Sequence, residues 1–306
     1  MSTSKKSAKQ TELENLVRQP KTQAGKRYLA NRAPKLVENN KKTIFIRGPH
    51  TKKITEECLN NLYQLKKPDA VCLKRNNQFR PFEDETPIEK FCKKYDASLF
   101  CFASDTKKRP NNLILGRTYD FNVLDMFEFA IESFASIYAF KNCYVPLSTK
   151  PCLVFHGEEF QNDPVYSRLK SLLIDFFRGP TVKKLRLQGF EYTLSFTVFN
   201  DQILMRAYKN LLKRSGSKIP LIKLKPAGPS MNLVLRRHKL ASDDLFRLAC
   251  KIPKSVVPRK KKNIEHDVFG TKHGRVHMQR QDLGELKQRK MKALKGRTKN
   301  FYIFKL

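Results

Sequence analysis

Residues 152–180 read CLVFHGEEFQNDPVYSRLKSLLIDFFRGP, and the reading of this stretch decides the fold class. Cys152 to His156 is an apolar run of strand length that ends at Gly157. A helix is predicted after it: Asp163 is placed to cap it, Pro164 suits its first turn, and Val165, Leu169, Leu172, Leu173, Phe176 and Phe177 form one apolar stripe. Gly179-Pro180 then stops the helix.

The same order occurs upstream. Thr43-Ile44-Phe45-Ile46-Arg47 runs into Gly48, and the helix predicted next has Thr55 as its cap, Glu56 and Glu57 in its first turn, and Leu59, Leu62 and Tyr63 inward. Strand, glycine and helix in two copies predict an α/β fold of two similar halves, an internal duplication. Further strand-like segments are Val71 to Lys74, Ser98 to Ala103 and Leu113 to Arg117 in the first half. The second half has Lys184 to Leu187, Tyr192 to Phe199 and Ile203 to Tyr208. Within Tyr192 to Val198 the apolar residues alternate, the pattern of a strand with one buried face. Between the halves, Phe127, Ile131, Phe134 and Tyr138 recur at helical spacing, so Val123 to Phe140 is expected to connect them as a helix.

Outside this pattern lie two basic ends. Residues 1–41 carry ten Lys/Arg against three acids, and residues 239–306 carry nineteen against six. Both ends lack strong apolar periodicity. The expected organisation is a basic amino-terminal arm (1–40), a folded domain (41–238) and a basic carboxy-terminal extension (239–306) that contacts RNA or partners. The whole chain of 306 residues has a net charge of +34, far beyond what solubility requires, and a polyanionic partner explains it. Nucleic acid is the first such partner. A membrane is the rival, but no stretch of about 18 apolar residues, signal-peptide pattern or lipidation signal is found, so a soluble intracellular protein is expected.

The seven cysteines (58, 72, 92, 101, 143, 152 and 250) include no Cys-x-x-Cys pair and read as small hydrophobes in a reducing compartment. No phosphate-binding glycine loop occurs. The Gly48 to Lys53 turn could offer backbone N–H groups and two lysines to a phosphate, but Glu56 and Glu57 oppose an anion there, so a connecting turn with a basic rim is expected. His156-Gly157-Glu158-Glu159 lacks the spacing of a zinc hydrolase, and His266, His273 and His277 have no cysteines or clustered carboxylates beside them. No metal and no cofactor are expected. A nuclease, the alternative from another class, would need an acidic cluster or an acid/base pair that the scattered 28 acids do not form. A basic ribosomal protein is a second alternative, separable by whether the chain stays on mature subunits.

Basic runs are the strongest signal. Lys107-Lys108-Arg109, Lys183-Lys184-Leu185-Arg186, Arg236-Arg237-His238-Lys239 and Arg259-Lys260-Lys261-Lys262 would accumulate phosphate contacts that position the protein without reading sequence. Arg259 to Lys262 also fits a nuclear-import signal. Phe79, Phe82, Tyr119, Phe121 and Phe269 lie near basic residues and are candidates to stack on unpaired bases.

Several of these strings resemble the Brix-domain ribosome-assembly factors. The likeness rests on Arg80-Pro81-Phe82-Glu83-Asp84, on Lys107 to Leu113 with Gly116-Arg117, on Val123 to Met126, and on Lys170 to Val182. It continues through Gly228-Pro229-Ser230, Leu233 to Arg237, Ala241 to Leu245, His266 to Thr271 and Gly274 to Gln279. The resemblance implies two similar α/β halves and no catalytic activity. It also implies a nucleolar factor that pairs with the regulator of ribosome synthesis protein and helps deliver 5S rRNA, with ribosomal proteins uL18 and uL5, to the pre-60S particle. Carried onto this chain, the RNA-contact region near the domain's end is Gly228-Pro229-Ser230 with Arg236 and Arg237; its plainer reading is a tight turn entering a final strand. An acidic residue often precedes that Gly-Pro in the family, whereas this chain has Lys225-Pro226-Ala227. The full set of expected RNA contacts is Lys107, Lys108, Arg109, Arg117, Arg178, Lys183, Lys184, Gly228, Pro229, Ser230, Arg236, Arg237, Lys239, Arg259, Lys260, Lys261, Lys262, His273, Arg275 and Arg280.

Overall fold

A computed structural model describes residues 20–33, 35–141, 146, 148–182, 184–216, 219–252, 254, 256, 257 and 261–281. The chain forms two compact units, Met1–Val256 and Val257–Leu306.

In the first unit, helix α1 (Gln23–Arg32) belongs to the amino-terminal arm and is capped by the Thr22 hydroxyl, which accepts from Gly25 N–H at 3.1 Å. The first half of the domain contains β1 (Thr43–Arg47), α2 (Lys53–Lys66), β2 (Ala70–Asn76), α3 (Thr86–Tyr95), β3 (Leu99–Ser104), β4 (Asn112–Tyr119) and β5 (Asn122–Ala135). The second contains β6 (Cys152–His156), α4 (Glu159–Asn162), α5 (Pro164–Phe177), β7 (Tyr192–Phe199), β8 (Gln202–Lys213), β9 (Leu221–Pro226) and β10 (Ser230–Lys239), followed by α6 (Asp243–Cys250). The strands form one mixed sheet in the order β2-β1-β3-β4-β5-β10-β8-β7-β6, with β9 attached to β8. This is the mixed α/β class that the two strand–glycine–helix units predict.

Strands β5 and β10 meet antiparallel at the centre. Outward from them the pairing sense is the same on both sides: two antiparallel steps and then a parallel one, β4-β3-β1 on one side and β8-β7-β6 on the other. Among the described residues, only the first side continues to β2, and only there does a helix, α3, cover the second face.

That difference explains the two strand patterns. Phe45, Cys101 and Leu115 face α2 and α5, whereas Ile44, Ile46, Phe100, Phe102 and Ile114 face a smaller core built on α3. Strands buried on both faces read as continuous apolar runs such as Leu99 to Ala103. In β7, Tyr192, Leu194, Phe196 and Val198 enter the main core while the residues between them point the other way, so the predicted alternation is realised.

Three local expectations are corrected. Val123 to Phe140 forms strand β5 and a short 3-10 turn (Ile137–Ala139), not a helix. The helical spacing came from a bulge: Asn232 faces Ser133 but Leu233 faces Ile131, so Glu132 is an extra residue and Phe134 returns to the side of Ile131. Thr55 does not cap α2. The helix begins two residues earlier, after Lys52, and Thr55 is buried on the same face as Cys58, Leu59 and Leu62. Lys184 to Leu187 is not a strand; Leu185 and Leu187 are exposed, and an irregular stretch leads to a 3-10 turn at Leu187–Gly189. By contrast, Asp163 caps α5 by accepting from Val165 N–H at 2.8 Å, with Pro164 in the first turn.

Gly116 on β4 permits the closest approach in this sheet. A Cβ there would lie 2.3 Å from Phe100 Cζ and 2.9 Å from the Asp125 carbonyl oxygen. Gly116→Ala is therefore expected to destabilise the domain by about 1–3 kcal/mol through overpacking. A shifted urea midpoint measures this, and Phe100→Leu in the same chain should recover part of the loss.

Five cysteines are inert by placement, whereas Cys250 on α6 is exposed. Burial pushes the Cys58 and Cys92 thiols up to about 12 and also raises Cys101, Cys72 and Cys152. Cys143 lies outside the described residues.

In the second unit, β11 (Ile264–His266) and β12 (Lys272–Gly274) form a hairpin. Asp267 and Gly270 close its turn, with Val268 and Phe269 exposed at the tip.

Candidate nucleic-acid interface

Two basic runs far apart in sequence converge on one buried carboxylate. Glu128 is fully buried on β5, opposite Ile114 of β4 and Arg237 of β10. Its Oε2 accepts from Arg109 Nη1 at 2.5 Å and also from Arg237 Nε. Arg236 donates to the Pro110 carbonyl at 2.9 Å across a sequence separation of 126 residues.

A second bulge produces this arrangement. In β10, Leu235 faces Phe129 and Arg237 faces Glu128, so Arg236 is the extra residue and both arginines oppose one glutamate. Phe82 lies beneath Arg237, whose guanidinium carbon is 3.9 Å from the ring centre. Lys239 pairs with Glu85. Lys107 and Lys108 are exposed in the turn just before Arg109; Thr106 and Arg109 bond across that turn, and Asp105 N–H donates to the His50 carbonyl at 2.8 Å.

Electrostatics at this cluster favour an added anion. Burial pushes the Glu128 carboxyl up, but the hydrogen bonds from Arg237 and Arg109 outweigh it and hold it below the ordinary carboxylate range. Burial lowers the Arg236 guanidinium, with Glu128 opposing and Arg109 adding to that shift. Three guanidinium groups around one carboxylate leave the positive charge in excess, with Lys107 and Lys108 exposed beside it.

Other predicted residues have different surroundings. Arg117 is nearly buried: it donates to Asp125 at 2.9 and 2.6 Å, to Asp175 at 3.0 Å and to Ser171 at 3.1 Å, so its charge is satisfied inside the fold. Gly228 and Pro229 are buried in a tight turn entering β10. Gly228 has φ of +62° and a Cβ on it would come within 2.4 Å of the Phe140 ring; its carbonyl accepts from the Tyr192 hydroxyl at 3.2 Å, and half-buried Ser230 opens the strand. Arg178 is exposed where α5 ends, its carbonyl accepting from Lys150 at 3.1 Å, and Lys184 is exposed beyond it. Lys261, Lys262, His273, Arg275 and Arg280 are exposed in the second unit. Lys183, Arg259 and Lys260 lie outside the described residues.

Among the aromatic candidates, Phe79 packs 5.2 Å from the Phe102 ring and Phe82 is taken up by Arg237. Tyr119 and Phe269 remain exposed. The Gly48 to Lys53 turn is a connecting turn: Lys52 pairs with Asp105 at 3.2 Å and Glu56 with Arg47 at 2.6 Å. Among the described residues, no group of three or more His, Cys, Asp or Glu side chains could hold a metal ion, and no helix is long and apolar enough to cross a membrane.

The first unit also extends beyond residue 238. Asp243 on α6 pairs with Arg168 at 2.7 Å, and Phe246 sits 3.4 Å from the Arg168 guanidinium carbon, docking α6 on α5. Sequence reasoning missed both this contact and Glu128. The signal for Glu128 was its place, with Asp125, as one of two acids inside the otherwise apolar run from Val123 to Ile131 of a strongly basic chain.

The chain belongs to the Brix domain family, whose model matches residues 48–237. It is 54% identical to a ribosome production factor 2 homolog of Bos taurus over 256 residues, 84% of each chain. The corresponding Homo sapiens protein is 54% identical over 255 residues, 83% of each chain. A ribosome biogenesis protein of Saccharomyces cerevisiae, RPF2, is 37% identical over 290 residues, 91% of this chain and 84% of that one. These relatives support a role in ribosome biogenesis, and their names describe production of a particle rather than a reaction.

Proposed function

We propose that this chain is a non-catalytic assembly factor for the large (60S) subunit that binds 5S rRNA and pre-60S rRNA by phosphate contacts in the nucleus and nucleolus. Its protein partners are the regulator of ribosome synthesis protein, as a heterodimer, and ribosomal proteins uL18 and uL5. One observation carries the RNA reading: Lys107 to Arg109 and Arg236 to Lys239, remote in sequence, form one basic edge. The exposed cations of the second unit supply further contacts. Because phosphates position rather than specify, discrimination among RNAs falls to shape and to the protein partners.

A salt titration against 5S rRNA and an unrelated RNA of equal length tests this. Lys107→Gln with Lys108→Gln, both exposed, should weaken binding to both RNAs and reduce the salt slope by about 1–2, at roughly 0.7–0.9 for each phosphate no longer neutralised. A chain ending at Val256 keeps the first unit intact and should lose further affinity. An unchanged slope in both variants would remove the basic edge and the tail from RNA binding.

A further inference from the structure

The β8–β9 ribbon ends the sheet differently from every other pair. β10 pairs with β8 only over Gln202–Met205, and β7 pairs with it only as far as Lys209, beyond which Asn210 N–H still donates to the Glu191 carbonyl, so from Leu211 to Lys213 the only described strand paired with β8 is β9. All six residues of β9 are exposed, and its outer edge pairs with no other described strand.

The register sorts this ribbon into two unlike faces. Leu212 faces Ile222 and Asn210 faces Leu224, which puts Leu212, Ile222 and Leu224 on one side with 37%, 54% and 51% of their surface exposed. Lys213 faces Leu221 and Leu211 faces Lys223, which puts the lysines on the other side, beside Leu211 and the exposed Leu221. Lysine on an edge strand normally discourages pairing with another chain. Here the lysines lie on one face only, the opposite face carries Leu212, Ile222 and Leu224 without a charge, and the outer edge between them is paired with no other described strand.

We propose that the outer edge of β9 receives an extended segment of a partner protein in which apolar and acidic side chains alternate. Main-chain hydrogen bonds would add it as a further strand. Its apolar residues would cover Ile222 and Leu224, and its carboxylates would lie beside Lys223, with Lys213 one strand further in. Charge separates this occupant from the others. A second copy of the chain would place the lysine row beside itself, and RNA phosphates would meet the lysines while leaving the apolar face in water. The inference stands independently of the RNA edge around Glu128.

The test uses the full chain and three probes: a short synthetic peptide alternating valine and glutamate, one alternating valine and lysine, and an oligouridylate. The valine–glutamate peptide is expected to bind by fluorescence anisotropy, to weaken as salt rises, and to slow amide hydrogen exchange across residues 221–226. Ile222→Asn with Leu224→Asn should lower its affinity on the order of tenfold at an unchanged thermal midpoint. Lys213→Glu with Lys223→Glu should transfer the preference to the valine–lysine peptide. No binding, equal binding of both peptides, or protection of 221–226 by the oligouridylate instead would overturn the proposal.

Discussion

Asp125→Ala should lower the unfolding free energy by about 3–5 kcal/mol, the range for stranding one member of a buried ion pair. Asp125 is fully buried on β5, and each of its oxygens has a separate task. Oδ2 receives two N–H groups of Arg117, and Oδ1 accepts from Ala241 N–H at 2.9 Å. One side chain thus ties β4 to β5 and both to the segment leading into α6. Alanine would leave the Arg117 guanidinium, 8% exposed, with Asp175, Ser171 and the Phe246 ring as its remaining partners. Asp125→Asn keeps the shape and an acceptor and should cost less. Urea unfolding with an unchanged slope would place the effect in the folded state. Replacing Arg117 by Met in the Asp125→Ala chain should then recover much of the loss, since the uncompensated charge is gone. Failure of that rescue would mean that the bond to Ala241 dominates.

Local signals made one class of feature legible. The Asp163 cap, the α5 stripe and the alternation in Tyr192 to Val198 all depend on neighbours within one element, and all appear in the structure. Features set by register were not legible. The bulge at Glu132 turned strand periodicity into helical periodicity, and the bulge at Arg236 decided which arginines meet Glu128. The candidate site was therefore half readable: the runs 107–109 and 236–239 stood out by composition, but their convergence depends on pairing across β4, β5 and β10. Arg117 shows the opposite limit. Its place in the Gly116-Arg117 string of the family resemblance made it an expected RNA contact, while the carboxylates that satisfy it lie 8 and 58 residues away in sequence. Charge counts cannot distinguish a cation held inside from one held out to solvent.

Glu128 allows geometry and charge to be separated in one experiment. Glu128→Gln should destabilise by about 1.5–3 kcal/mol, the scale of hydrogen bonds to charged groups, because two arginines lose a shared carboxylate. The pH dependence has a definite sign. The Glu128 carboxyl is depressed in the folded state, so its contribution is present above the ordinary carboxylate value and is lost as pH falls through that value towards the lower folded one. The stability gap between the parent and Glu128→Gln should accordingly close in acid and stay open at neutral pH. RNA affinity adds the deciding sign. Glutamine makes the edge more positive, so a surface acting by charge alone would bind RNA more tightly in the variant. A surface acting by placement would bind more weakly, because a neutral amide oxygen holds Arg109 less firmly than a carboxylate and leaves Arg237 to depend more on its stack on Phe82. We expect the weaker binding, with a reduced salt slope, since the bulge at Arg236 concentrates guanidinium groups at the one position where Glu128 can orient them.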